Sequence, residues 1–163
     1  MDGVNWSIGK EAEGYEMIGF EDLYKKEGKE IVDRVIAFDC LETMGRDVLG
    51  EIISKMHKVL KVGGKLSIRV IDFKQVVDRY LNGLCSCYIN HKANPECMKC
   101  GGKATISPEK VREYIYGKPF KSRMNIFDTD YIIDVLKKTG FEVKELAQKD
   151  LHIEVYAAKR KRA

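Results

Sequence analysis

Val32–Phe73 reads VDRVIAFDCLETMGRDVLGEIISKMHKVLKVGGKLSIRVIDF, and its apolar spacing changes twice along the way. Ile31, just before it, and Val32, Val35, Ile36, Ala37 and Phe38 form a nearly continuous apolar run, as in a strand covered on both faces. Val48, Leu49, Ile52, Ile53, Met56, Val59 and Leu60 then recur at helical spacing and leave Glu51, Lys55, His57 and Lys58 to a polar face. Asp47 is the expected cap of this helix, and Gly63 and Gly64 are its expected stop. Leu66, Ile68, Val70 and Ile71 return to strand spacing. Asp72 is placed to cap a following helix, FKQVVDRYLNG.

Working outward, Gly3–Ile8 and Tyr15–Ile18 are short strand candidates on the N-terminal side. On the C-terminal side, SPEKVREYIYG reads as a helix with Pro108 in its first turn. DTDYIIDVLKKTG is a further helix, capped by Asp128 or Thr129 and stopped by Gly140. Phe141–Leu146 and Leu151–Ala157 alternate and predict a closing hairpin. Strands interleaved with helices predict an α/β protein: an open, mostly parallel sheet with helices on both faces and an antiparallel C-terminal hairpin. Residues 1–163 suit a single domain with one core, interrupted by a cysteine-rich insertion at 82–106.

Apolar residues make up 44% of the chain and charged residues 33%, a globular balance. The formal net charge is +4, from 29 basic and 25 acidic side chains, too mild to indicate nucleic acid by itself. The basic end AAKRKRA reads first as a solvated tail and second as a phosphate contact. No apolar run reaches the roughly 18–20 residues of a bilayer span, and MDGVNWSIGK lacks the features of a secretory signal. The expectation is a cytoplasmic protein with no membrane partner.

The block Val32–Phe73 resembles the centre of class I S-adenosylmethionine-dependent methyltransferases: a strand, a turn with a leH-like signature, a helix, vLkpGG, and a strand ending in pDf. FDTDYIIDVLKKTGFEVKEL and HIEVYAAKR resemble the ending of the same family. REYIYGKPFKSRMNIFD is similar to a segment of its small bacterial and phage members. The resemblance implies a Rossmann-like fold and a cofactor at the carboxyl ends of the strands. The family opens with a glycine-rich loop of the form LnlGcGxxxxxGyxnvD; here the matching piece is VNWSIGKEAEGYEMIGFED. Gly9, Gly14 and Tyr15 match, whereas Ser7 and Ile8 stand in place of Gc, and Glu21 and Asp22 lie just beyond the expected acid. Thr43 replaces the leH histidine, and Val62 the proline before the two glycines.

By this resemblance Ser7 and Gly9 line the amino-acid end of S-adenosylmethionine, Glu21 or Asp22 takes the ribose, and Asp39, Cys40 and Leu41 border the sulfonium and the acceptor. Each has a plainer reading. Ser7 and Gly9 make a turn, Glu21 and Asp22 open a helix, and Cys40 is a small buried apolar residue. No residue stands out as a general base, and none is needed where methyl transfer runs on positioning. The acceptor is unnamed. The alternative is a catalytically inactive module of the same fold that contacts nucleic acid or a protein partner.

Four of the five cysteines lie in CSCYINHKANPECMKCGG, Cys85–Gly102. Cys85 and Cys87 form a C-x-C pair, and Cys97 and Cys100 a C-x-x-C pair followed by two glycines. Two close thiolate pairs suit tetrahedral zinc, with His91 a replacement for one of them. A redox pair, disulfides or unpaired thiols are the other readings. A closed zinc site would supply folding free energy to an insertion with little core of its own.

Overall fold

A computed structural model describes residues 3–26, 29–82, 116–118, 121–122, 125, 127–149 and 151–160. The cysteine pairs, His91 and nearly all of SPEKVREYIYG lie outside them. The chain runs β1 (Asn5–Ile8), β2 (Glu16–Ile18), α1 (Phe20–Lys25), β3 (Val32–Phe38), a 3-10 turn at Leu41–Thr43, α2 (Arg46–Val59), β4 (Leu60–Ile71) and α3 (Phe73–Leu81). Further along the chain come β5 (Gly117–Lys118), β6 (Lys121–Ser122), α4 (Thr129–Lys138), β7 (Phe141–Lys149) and β8 (His152–Lys159).

Six strands form one sheet in the order β2-β1-β3-β4-β8-β7. The pairs β1–β2, β1–β3 and β3–β4 are parallel, and the closing hairpin β7–β8 adds antiparallel to β4, as the sequence predicted. β5 and β6 pair separately.

The register lines up two apolar rows across four strands. Trp6, Val35, Leu66 and Ala157 form one, and Ile8, Ala37, Ile68 and Val155 the other. All eight are buried and belong to one core with Leu23 of α1, Leu49, Ile52, Ile53, Met56 and Val59 of α2, and Ile132 and Leu136 of α4. Each such large aliphatic side chain contributes about 1.5–3 kcal/mol on burial. Thus α1, α2 and α4 gather on one face of the sheet. On the other face the row Ser7, Ile36, Ser67, Tyr156 is more polar, and Tyr156 is exposed.

Tertiary pairing corrects several local readings. α2 ends at Val59, not at the glycines, because Leu60 is buried and already pairs with Val32. Gly63 bends the start of β4 with φ +79, and a Cβ on Gly64 would stand 2.8 Å from the Lys61 carbonyl. The α2 cap is Gly45, with Asp47 left to face the helix dipole from the first turn. Lys55 is not on a solvated face: it is buried, with its ammonium 3.9 Å over the Tyr24 ring. His57 meets the edge of Phe141 at a centroid distance of 5.0 Å, and Val48 is exposed. Asp128 is the α4 cap, its carboxylate accepting from Tyr131 N at 2.7 Å.

Candidate functional site

β2 lies on one side of β1 and β3 on the other, so the parallel strands change direction of succession between β1 and β3. In open α/β sheets the ligand crevice opens at such a switch point, beyond the carboxyl ends of the strands. The connection from β1 to β2 is only residues 9–15 and contains no helix. Parallel neighbours are normally joined by a dozen or more residues. This loop therefore turns tightly against the end of β3.

Ser7 is 1% exposed, and its hydroxyl donates to the Lys10 carbonyl, closing the turn. Gly9 has φ +88, and a Cβ there would stand 2.5 Å from Cys40 Cβ, so the position requires glycine on both counts. The close approach is between two stretches of this chain. Trp6 and Ile8 point into the helix-covered core, where Trp6 Nε1 donates to Glu16 Oε2 at 3.1 Å.

Glu21 and Asp22 open α1 at the carboxyl end of β2. Asp22 caps that helix by accepting from Gly19 N at 3.0 Å, while Glu21 is exposed. The helix-opening role is thus visible for Asp22.

Asp39 directly follows β3 and holds a left-handed backbone, φ +54. Its carboxylate accepts from Arg69 Nε at 3.0 Å and Arg69 Nη2 at 2.7 Å, and it forms an ion pair with Lys10. His152 Nε2 of β8 lies 3.9 Å away. Burial pushes the Asp39 carboxyl up, but the bonds from Arg69 and Lys10 outweigh burial and hold it at about 2. A carboxylate that is ionised at neutral pH therefore stands between the ends of β1, β3 and β4. Burial, with help from the charges of Glu42 and Asp39, pushes the Cys40 thiol up to about 12. Cys40 is therefore a protonated core thiol and not a nucleophile. Leu41 is buried in the core.

Sequence reasoning passed over Lys10, Arg69 and Glu42. Glu42 is 2% exposed, and its Oε1 accepts from Ile71 N at 2.9 Å, tying the turn after β3 to the end of β4. Its position in the leH-like signature was the available signal. Lys10 and Arg69 gave none, because their meeting with Asp39 depends on strand register. Asp72 is a hub of bonds: Oδ1 accepts from Gln75 N at 3.3 Å, and Oδ2 from Gln75 Nε2 at 3.1 Å and Gln148 Nε2 at 2.9 Å. It caps α3, as expected. A cavity of about 540 Å³ opens beside it, lined also by Val77, Asp128 and Asp130. Among the described residues no group of three or more His, Cys, Asp or Glu side chains is arranged to hold a metal, and no helix is long and apolar enough to cross a membrane.

The sheet order, the switch point and the closing antiparallel hairpin define the class I S-adenosylmethionine-dependent methyltransferase fold, which this chain has. Solved structures carry the same conclusion. An S-adenosylmethionine-dependent methyltransferase from Thermotoga maritima superposes with a TM-score of 0.57 at 14% identity, over 97% of this chain and 83% of that one. One from Mesorhizobium loti gives 0.55 at 11% identity, over 95% and 90%. The 1,6-didemethyltoxoflavin-N1-methyltransferase of Burkholderia thailandensis, solved with S-adenosylhomocysteine, gives 0.54 at 13% identity, over 92% of this chain and 53% of that one. This chain spans about half the length of that enzyme and of two others that it matches, at 45% and 44%. No family model matches the sequence, and no curated protein matches it.

Proposed function

We propose that the chain binds S-adenosylmethionine at the β1–β3 switch point and transfers its methyl group to an acceptor. The observation that carries this reading is Asp39, an ionised carboxylate held at the carboxyl end of β3 beside the Gly9 turn. Ser7 and Gly9 would shape the turn at the amino-acid end, Glu21 or Asp22 at the start of α1 would take the ribose, with Glu21 the exposed one of the two, and Asp39 would border the sulfonium with Cys40 and Leu41 backing it from the core. The cofactor, when bound, supplies an electrophilic methyl group on sulfur. The protein's part is then to position the acceptor in line with it and to exclude water. Titration calorimetry or thermal shift with S-adenosylmethionine and S-adenosylhomocysteine tests the reading: a shift at micromolar to millimolar ligand is expected, and none at millimolar concentration refutes it.

One observation favours the second reading, an assembly module without activity. The Gly9 turn packs directly against Cys40, in the region where an amino-acid tail would approach. A protein that ignores both ligands yet retains a protein or nucleic-acid partner would establish that reading instead.

For the insertion, zinc held by Cys85, Cys87, Cys97 and Cys100 is the proposal, and its warrant is their spacing alone. Metal analysis of protein purified without chelator should give near one equivalent. Less than about half would rule the four-thiolate site out.

A further inference from the structure

The sheet face turned away from the helices carries a groove that the cofactor reading does not use. Register puts Lys65, Ala158 and Glu142 in one row across β4, β8 and β7, and Ser67, Tyr156 and Glu145 in the next. These side chains alternate with Leu66 and Ala157, whose side chains lie in the core on the opposite face. They line a cavity of about 890 Å³ together with Lys144 and Arg160. We propose that this groove binds single-stranded nucleic acid, with a base stacked on Tyr156 and the adjoining phosphates on Lys65 and Arg160.

Tyr156 stands on β8, the middle strand of the three, and is exposed. Its hydroxyl donates to Glu154 Oε2 at 3.4 Å, two residues along the same face. Burial, then the charge and the hydrogen bond of Glu154, push the phenol above its ordinary value, so the ring stays neutral beside a polyanion. An aromatic ring on an open strand can stack on an unpaired base of any kind, whereas a duplex keeps its bases stacked on one another.

Charge is unevenly placed around that ring. Glu145 lies opposite Tyr156 in the register, and Glu154 is its hydrogen-bond partner. These carboxylates repel phosphate and accept hydrogen bonds from base amino groups. Lys65 lies one row away, about 6.8 Å along the strands, and Arg160 follows two residues after Ala158 of that row. Neither cation holds a hydrogen bond or ion pair among the described residues, and Arg160 acts on Glu142 only through its charge. Glu142 itself is answered by Lys144 at 2.7 Å. Base and phosphate are thus offered opposite chemistry one row apart. The basic end of the sequence, KRKRA, begins at this groove, with Lys159 and Arg160 in its lining. An acidic peptide would set its carboxylates against Glu145 and offer Tyr156 no ring.

The test is fluorescence anisotropy of the full chain with labelled oligocytidylate RNA of about ten nucleotides, a length within the usual single-strand site. The wild type should bind at low salt, with log affinity falling against log salt at a slope of about −1.4, the value for two phosphate contacts. Tyr156→Phe should keep the affinity, and Tyr156→Ala should lower it about tenfold. Lys65→Gln combined with Arg160→Gln should flatten the salt slope. Oligouridylate presents an acceptor where cytosine presents an amino donor, and should bind several-fold more weakly. Thermal unfolding confirms the fold of each variant. Four results would each overturn the inference: no binding by the wild type, equal affinity for a duplex of the same length, a Tyr156→Ala variant as tight as the wild type, or an unchanged salt slope in the double variant. Displacement of the RNA by polyglutamate as readily as by unlabelled oligonucleotide would assign the face to an acidic protein and overturn it too. The cofactor reading stands or falls separately, because no S-adenosylmethionine enters these titrations.

Discussion

At one end of the sheet β4, β8 and β7 run for 12, 8 and 9 residues and are laced by long antiparallel ladders. At the other end β1 and β2 run for 4 and 3 residues, joined by a loop too short for a helix. The long end is held by area: paired backbone over many residues, with apolar rows closed by α2 and α4. The short end is held by individual contacts, namely Gly9 against Cys40, the Ser7 hydroxyl on the Lys10 carbonyl, Trp6 on Glu16, and the ion pairs of Asp39. Stability built from area tolerates no cavity, whereas a site built from separate polar contacts can be rearranged by a ligand at small cost. The candidate site lies at the end with the second kind of construction.

The largest effect should come from the long end. Phe141 opens β7, is fully buried and packs against His57. Phe141→Ala should lower stability by about 3–5 kcal/mol in urea unfolding, the usual cost of an aromatic cavity. A loss below about 1 kcal/mol would mean that the hairpin is not the anchor of the sheet.

Next comes a pair of glycines in the short end. Both Gly9 and Gly14 are left-handed, at φ +88 and +77, but only Gly9 faces a neighbour. Gly14→Ala should cost about 1–2 kcal/mol, the conformational penalty alone. Gly9→Ala should cost that plus about 1–3 kcal/mol from the collision with Cys40. Equal losses would show that the Gly9–Cys40 approach is looser than drawn.

The last effect is electrostatic and confined to acid pH. Asp39 has a folded pKa of about 2 against an ordinary 3.8. A depressed carboxyl stabilises the fold above its unfolded pKa and loses that contribution as the pH falls through its folded one. Asp39 should therefore contribute on the order of 2 kcal/mol above about pH 4, lost between about pH 4 and pH 2. Asp39→Asn should flatten that part of the stability profile and leave its shape above pH 5 unchanged. An unaltered acid limb would place the acid-sensitive group elsewhere.

The sheet was legible because Val32–Phe73 changes its apolar period where the elements change, and Phe141–Ala157 alternates where the hairpin lies. The boundary at Val59 was not legible. Helical spacing continues through Leu60, and only pairing with Val32 turns that residue into strand. Buried charges were equally hidden. Lys159 reads as the start of a basic tail, yet it is 7% exposed and donates to the Leu60 carbonyl and to Glu30, each at 2.8 Å. Of the candidate site, Ser7, Gly9 and Asp39 were visible through a resemblance of motifs, while their partners Lys10, Cys40 Cβ and Arg69 come from three different strand ends.

The sequence by itself determined the succession of the six strands of the main sheet with α2, α3 and α4, the antiparallel closure, and the cap at Asp72, because periodicity and capping act over a few neighbouring residues; the pairing of β5 with β6 and the choice of Asp128 over Thr129 as the α4 cap came from the structure. Tertiary structure alone decided that Asp39 meets Lys10 and Arg69, that Gly9 presses on Cys40, and that Glu42 ties two strand ends together. Those contacts span 29 to 31 positions of chain, and strand register, which no local pattern encodes, brings them into reach.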